Sequence, residues 1–190
     1  MRKILLTCLC GLFSAGAFAA PQTYNIDRAH TQVIVMVSHF GYSKSLLLFP
    51  DVQGTMMLDF DNPTQSSLDV TINTENVITG VDKLDGHLKK QDFLHVDEFP
   101  TAHFVSTDFS ARSETTGTVT GELTLLGQTH PLTFTVQLNQ RKDHPFAGVD
   151  AVGYSAKAVI DRSMYGMGYG IPGIAREVQV LIEGESILAK

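Results

Sequence analysis

The sequence predicts an all-β protein: one antiparallel domain of eight or nine strands carrying a single short helical insertion. Apolar and polar residues alternate with period two in stretch after stretch, and turn signals fall between them at even spacing. The strand–helix alternation of a parallel sheet is absent. Only one stretch, DKLDGHLKKQDFLHVDEFPTAHFVS from Asp82 to Ser106, breaks the strand pattern over any length. Such spacing belongs to a sandwich or a barrel.

Residues 1–19 set the compartment. Arg2 and Lys3 precede the apolar run ILLTCLCGLFSAGAFAA, which ends in Ala17-Phe18-Ala19, so the segment reads as a secretory signal cleaved near Ala19 or Ala20. It is too short, and too rich in small residues at its end, for a membrane span. Cys8 and Cys10 both lie inside it, and neither follows the small residue that lipid attachment uses. Residues 20–190 then form one domain with no cysteine, and no stable membrane span is expected in the mature chain. Export into an oxidising compartment comes without a disulfide, so stability must rest on burying apolar surface. The net charge of −6 becomes −8 once Arg2 and Lys3 leave. An acidic surface repels phosphate backbones and anionic headgroups, which argues against nucleic acid and peripheral membrane partners.

Each strand has its own justification. In TQVIVMVSH, from Thr31, the residues Val33, Val35, Val37 and His39 share one face. SLLLF before Pro50 reads as a short apolar linker or one helical turn. Gly54 to Phe60 is a strand closed by the turn Asp61-Asn62-Pro63, and Leu68, Val70 and Ile72 alternate with polar neighbours. In the insertion, Val81, Leu84 and Leu88 fall at i, i+3 and i+7, giving a short helix whose Lys83, Lys89 and Lys90 face water. Phe93, Leu94, Val96 and Phe99 follow as an apolar cluster, and Pro100 ends it. A helix with an aromatic tail lodged among strands is suited to plug an opening. Ala102, Phe104 and Ser106 resume the alternation. Strands over Thr118 to Leu125 and Leu132 to Leu138 come next, then a charged loop from Asn139 to Gly148. The last strands, Gly148 to Ile160 and Glu177 to Ile187, flank a glycine-rich stretch.

Few motifs carry chemistry. Gly168 to Gly173 matches GxGxxG literally, but Pro172 lies inside it and a strand follows, so a rim-crossing glycine loop fits better than a dinucleotide site. The seven histidines include no i, i+4 pair on a helix, and no cysteine supports them, so no metal is expected. Ser155 and Lys157 share a strand face, best read as exposed. Asp161-Arg162 and Asp85-x-His87 read as ion pairs pinning loops rather than as acid–base pairs. No catalytic residue and no cofactor are expected. Aromatic and Met residues gather near the loops, ordinary for a core and suggestive of a cavity only inside a closed barrel.

Several blocks resemble the YceI-like family of periplasmic proteins. They are Tyr24-x-Ile26-Asp27-x-x-His30-Thr31 with Val33, Val35 and His39, then Asp85-x-His87-Leu88-Lys89 with Asp92-Phe93. Phe99-Pro100-Thr101 with Phe104 and Ser106, Gly121-Glu122-Leu123-Thr124-x-x-Gly127, and Asp161-Arg162-Ser163-x-Tyr165-Gly166 complete the set, in the family's order from Tyr24 to Glu185. The departures are Tyr165 and Leu94, each where Phe is common. The resemblance implies a single antiparallel eight-stranded lipocalin-like barrel holding a long polyisoprenoid, isoprenoid-quinone-like or other amphiphilic lipid in its lumen, exported to the periplasm and non-enzymatic. On that picture Val33, Val35, Val37, His39, Phe49, Leu88, Phe93, Phe104 and Tyr165 sit at or near the lumen. The rival readings are an enzyme acting on such a lipid through His39 or His87, and a module docking partners through Asp82 to Pro100. Edge strands permit a homodimer without requiring one.

Overall fold

The computed structural model describes residues 20–190; the expected signal segment lies outside the described residues. Ten strands form: β1 (Gln22–Ile26), β2 (Gln32–His39), β3 (Ser43–Phe49), β4 (Val52–Leu58), β5 (Ser67–Asn73), β6 (Thr101–Ala111), β7 (Thr116–Leu125), β8 (Gln128–Asp143), β9 (Asp150–Asp161) and β10 (Ile174–Leu188). All pair antiparallel. β10 is the closing strand, because its N-terminal half pairs with β2 and its C-terminal end with β1. β1 and β2 are two halves of one bent strand, and β1 pairs β4 while β2 pairs β3. β3 and β4, interrupted at Pro50-Asp51, likewise make one wall. Counted this way the sheet is a closed eight-strand barrel, as expected from the family resemblance.

Pleating explains which residues face inward. Along β5, Leu68, Val70 and Ile72 face the lumen, as their alternation predicts. In β6 the inward set begins as Ala102 and Phe104 and continues as Phe109 and Ala111. The change of parity falls at the register shift between Ser106 and Asp108, where one extra residue turns the pleat over. Gly121, beside that bulge on β7, leaves space for an aromatic ring: a Cβ there would meet Phe104 Cζ at 2.5 Å and the backbone of β6. The β7–β8 turn is two residues long. Leu126 and Gly127 both take positive φ, 51° and 70°, which is the twist a tight hairpin needs.

Three expectations need correction. SLLLF is not a linker or helical turn but most of β3, with Leu47 and Phe49 buried and Leu46 exposed. Three consecutive leucines hide a period-two pattern, and Pro50 ends the strand without preventing it. The charged loop expected from Asn139 is instead the last third of β8, which runs to Asp143 against β9. Polar residues fill it because it rises past the apolar lumen. The final strand is also longer than expected, beginning at Ile174.

The insertion between β5 and β6 holds helix α1 (Asp82–Leu88). Its base is closed by Thr74, whose N–H donates to Pro100 O at 2.9 Å and whose hydroxyl donates to Phe99 O at 3.3 Å. Asp85 accepts from the Thr79 N–H at 2.7 Å, which fixes the entry to the helix. Leu88, Phe93, Leu94 and Val96 are buried, while Val81, expected on the apolar face, is the exposed residue preceding the helix. Ile78 forms a bridge with Leu48, attaching the insertion to the outer edge of β3.

At the other end, Tyr24 is fully buried and donates to Asp150 Oδ2 at 2.7 Å, with Arg141 Nε 2.8 Å from the same oxygen. Burial, then the hydrogen bond and charge of Asp150, push the Tyr24 hydroxyl pKa up to about 12. Burial opposes the Asp150 charge, but the Tyr24 and Arg141 contacts outweigh it and hold the carboxyl below its ordinary range. A depressed carboxyl stabilises the fold above its unfolded pKa and loses that contribution as pH falls through the folded value. Urea unfolding should therefore show stability falling below about pH 4. Tyr24→Phe should lower stability at pH 7 by about 1–3 kcal/mol and flatten this acid dependence.

Candidate ligand-binding cavity

The barrel is hollow. A cavity of about 640 Å³ runs along it, walled mainly by the inward side chains of the strands. Val33, Val35 and Val37 come from β2, Leu47 and Phe49 from β3, and Val178, Val180 and Ile182 from β10. Branched aliphatic residues make up much of the wall, with Phe104 and Phe134 in edge-on contact at 5.3 Å, and the ring of eight strands leaves the lumen unfilled. Its apolar character follows from the strand alternation, which sends Lys and Gln outward and leaves strand Ser and Thr in the wall only at Ser110, Thr116 and Thr118, by the β6–β7 hairpin.

The two ends differ. At the insertion end the lining residues Leu88, Phe93, Leu94, Arg162 and Met167 are all buried, so the cavity stops there. At the other end it is bounded by residues 59–66 after β4 and by the β6–β7 hairpin, where Ser110, Ser113, Glu114 and Thr115 are exposed. This is the opening. Phe60 lines it, edge-on to Tyr24 at 6.2 Å and lying under the Arg141 guanidinium at 3.8 Å.

The closed end is built by aromatic contact and by one arginine. Phe93 packs against His87 and Tyr169 at 5.0 and 5.3 Å between centroids, joining the insertion to the glycine-rich loop. Arg162 follows β9 directly and is only 4% exposed. Its guanidinium donates to four carbonyls: Met167 at 2.6 Å, Ala175 at 2.8 Å, and Tyr169 and Ile174 at 2.9 Å each. Burial lowers its pKa, against the opposing charge of Asp161. Four N–H groups of the fork converge residues 167–175 onto one point, which explains how a segment with three glycines is held across the barrel end.

The expected lumen residues divide cleanly. Val33, Val35, Val37, Phe49, Leu88, Phe93 and Phe104 line the cavity. His39 does not: it shares the parity of the valines, but β2 outruns the cavity there, and its exposed ring stacks on Phe40 at 4.8 Å. Tyr165 is buried yet outside the wall, edge-on to His130 at 5.1 Å, its pKa raised by burial and then by the charge of Glu122. No histidine of the described residues lines the cavity. Asp161-Arg162 is not the ion pair expected. Asp161 accepts from Ser163 instead, and Arg162 binds carbonyls. Asp85 and His87 also separate, one to Thr79 and the other to the aromatic cluster. Ser155 donates to Glu183 at 2.6 Å on the outer face. Sequence reasoning missed Asp59, Glu114 and Arg162 as wall residues; the turn signal Asp61-Asn62-Pro63 pointed to the rim but not to its charge.

Among the described residues, Asp27 and His30 on the bend between β1 and β2 and Glu185 on β10 place one ligand atom each within 4.8 Å of one another, outside the cavity. His30 Nδ1 already lies 2.8 Å from Asp27 Oδ2, and Asp27 Oδ1 accepts the Ala29 N–H, so local hydrogen bonding accounts for the Asp27–His30 pair.

The YceI-like domain profile matches residues 24–186, nearly the whole described chain. The chain belongs to the YceI-like family. A Salmonella arizonae relative named Protein YceI is 34% identical, each chain covering the other fully, and a UPF0312 protein of Pseudomonas aeruginosa is 34% identical over 98% of both. Among solved structures, Burkholderia cenocepacia BcnA superposes with a TM-score of 0.76 at 21% identity, covering 84% of this chain and 98% of its own. A polyisoprenoid binding domain from Saccharophagus degradans gives 0.66 at 14% identity, covering 88% and 99%. These two show that the YceI-like barrel is the shared fold. No helix of the described residues is long and apolar enough to cross a membrane.

Arg162 provides the test of the closed end. Arg162→Lys keeps the charge but offers three donors from a single point, so several of the four carbonyls lose their partner. Thermal and urea unfolding should show a loss of about 3 kcal/mol or more, with proteolysis concentrated in residues 166–173.

Proposed function

We propose that this YceI-like protein is a periplasmic carrier that sequesters a long-chain polyisoprenoid or isoprenoid-quinone-like lipid, without chemical turnover. One observation carries the reading: a one-ended, almost wholly apolar cavity of about 640 Å³ inside a closed barrel. A slender hydrocarbon fits such a space better than a compact polar metabolite, for which the walls offer almost no hydrogen-bonding groups. The Saccharophagus degradans neighbour, named as polyisoprenoid-binding, supports the ligand class. Residues 1–19 supply the export signal on this reading.

Energetics agree with a tail-gripping mode. Each buried methylene contributes about 0.8 kcal/mol, so ten of them give roughly 8 kcal/mol before the costs of association. Affinity near the micromolar range then needs no strong polar anchor. Val33, Val35, Val37, Phe49, Leu88, Phe93 and Phe104 are the proposed tail contacts, with His39 and Tyr165 left out because they stand outside the wall. The enzyme reading through a lumen histidine loses its geometry, since His39 and His87 both lie off the cavity lining. The insertion packs inward as a plug, which favours a structural role for it over partner docking.

Native mass spectrometry of protein purified from its own periplasm should find one lipid per chain. Ala156→Trp, which projects a large ring from β9 into the lumen, should cut uptake of that lipid at least about tenfold while the β-sheet circular dichroism persists. Protein that arrives empty and takes up no isoprenoid in vitro would overturn the carrier reading.

A further inference from the structure

We propose that the open end selects a lipid with an uncharged, hydrogen-bond-donating head, a long-chain alcohol or phenol, over the phosphate or carboxylate of the same tail. This rests on the carrier reading above and adds the chemistry of the head group. Three charged residues belong to the cavity wall: Arg162, Asp59 and Glu114. They are not distributed evenly. The cation is at the closed end and both carboxylates are at the opening.

The cation is already occupied. Four of its five N–H groups are spent on carbonyls, so a head group driven inward would find at most one donor. An anion would also have to leave water and cross an apolar wall to reach it.

The carboxylates are available as acceptors. Asp59 is 8% exposed, and its Oδ1 accepts the N–H groups of Asp61 at 3.0 Å and Asn62 at 2.7 Å. Its Oδ2 has no protein donor among the described residues. No sealed side-chain oxygen is left without a partner, so Oδ2 reaches water or the cavity mouth. Glu114, at the tip of the β6–β7 hairpin, makes no ion pair or side-chain hydrogen bond among the described residues, and the turn at 63–65 packs against β6 beside it. Cations nearby do not offset the two charges. Arg112 on the same hairpin is exposed and not part of the wall, and Arg141 is held by Asp150 at 2.8 Å. Carboxylates accept but do not donate at neutral pH. A hydroxyl head satisfies them, while an anionic head meets like charge at a partly desolvated rim.

The experiment is a competition on the delipidated full chain, read by native mass spectrometry, between a polyprenol and the polyprenyl phosphate of equal length. At pH 7 the alcohol should be retained on the order of tenfold over the phosphate. Glu114→Gln should raise the phosphate-to-alcohol ratio, and Glu114→Lys should raise it further; Asp59 is kept, since it closes its turn. Equal or preferential retention of the phosphate, or a ratio indifferent to Glu114→Lys, overturns the head-group selection while leaving the carrier reading intact. Failure of both lipids to enter overturns the carrier reading itself and this inference with it.

Discussion

The structure depends on β10 holding two partners on one edge. Its first half binds β2 and its last residues bind β1, so the bent first wall is clamped along its length and the sheet closes on itself. Closure fixes the diameter, and with eight walls the diameter is slightly more than the inward side chains can fill. A flat sheet of the same residues would collapse onto a second layer. Hollowness is therefore a result of ring closure combined with inward side chains that are mostly Val, Leu, Ile and Phe.

Beyond the β6 bulge and Gly121, the special devices appear where the walls stop. The helical insertion brings Leu88, Phe93 and Leu94 over one end, and the glycine-rich loop joins it through Tyr169. Glycines let that loop turn tightly but give it no side chains with which to hold on. Arg162 compensates from below by collecting carbonyls, the groups a loop has whatever its sequence. A buried arginine paired to carbonyls rather than to a carboxylate keeps an acidic side chain out of the apolar end.

Much of this was legible in the sequence, and the failures are informative. Val33, Val35 and Val37 announce an inward face by parity, and Leu68, Val70 and Ile72 do the same, because one face of each strand is apolar and the other is not. Parity says nothing about where the lumen ends, so it extended the face to His39, one step beyond the cavity. It also fails at a bulge: Phe109 faces inward with the opposite parity to Phe104. SLLLF was illegible as a strand because apolar residues occupy both faces, Leu46 outward and Leu47 inward. Arg162 looked like half of an ion pair with its neighbour, and only the chain folding back from 167 to 175 reveals its partners. Asp59 and Glu114 are ordinary turn residues until two distant hairpins are seen to border the same opening.

A pocket closed at one end has one route for both arrival and departure. Whatever enters must expel water past itself, and whatever leaves must withdraw along its whole length before it is free. The floor formed by Phe93 and Met167 also acts as a stop. A chain shorter than the bore is swallowed completely, whereas a longer one keeps its remainder outside, exposed to any acceptor that approaches the rim.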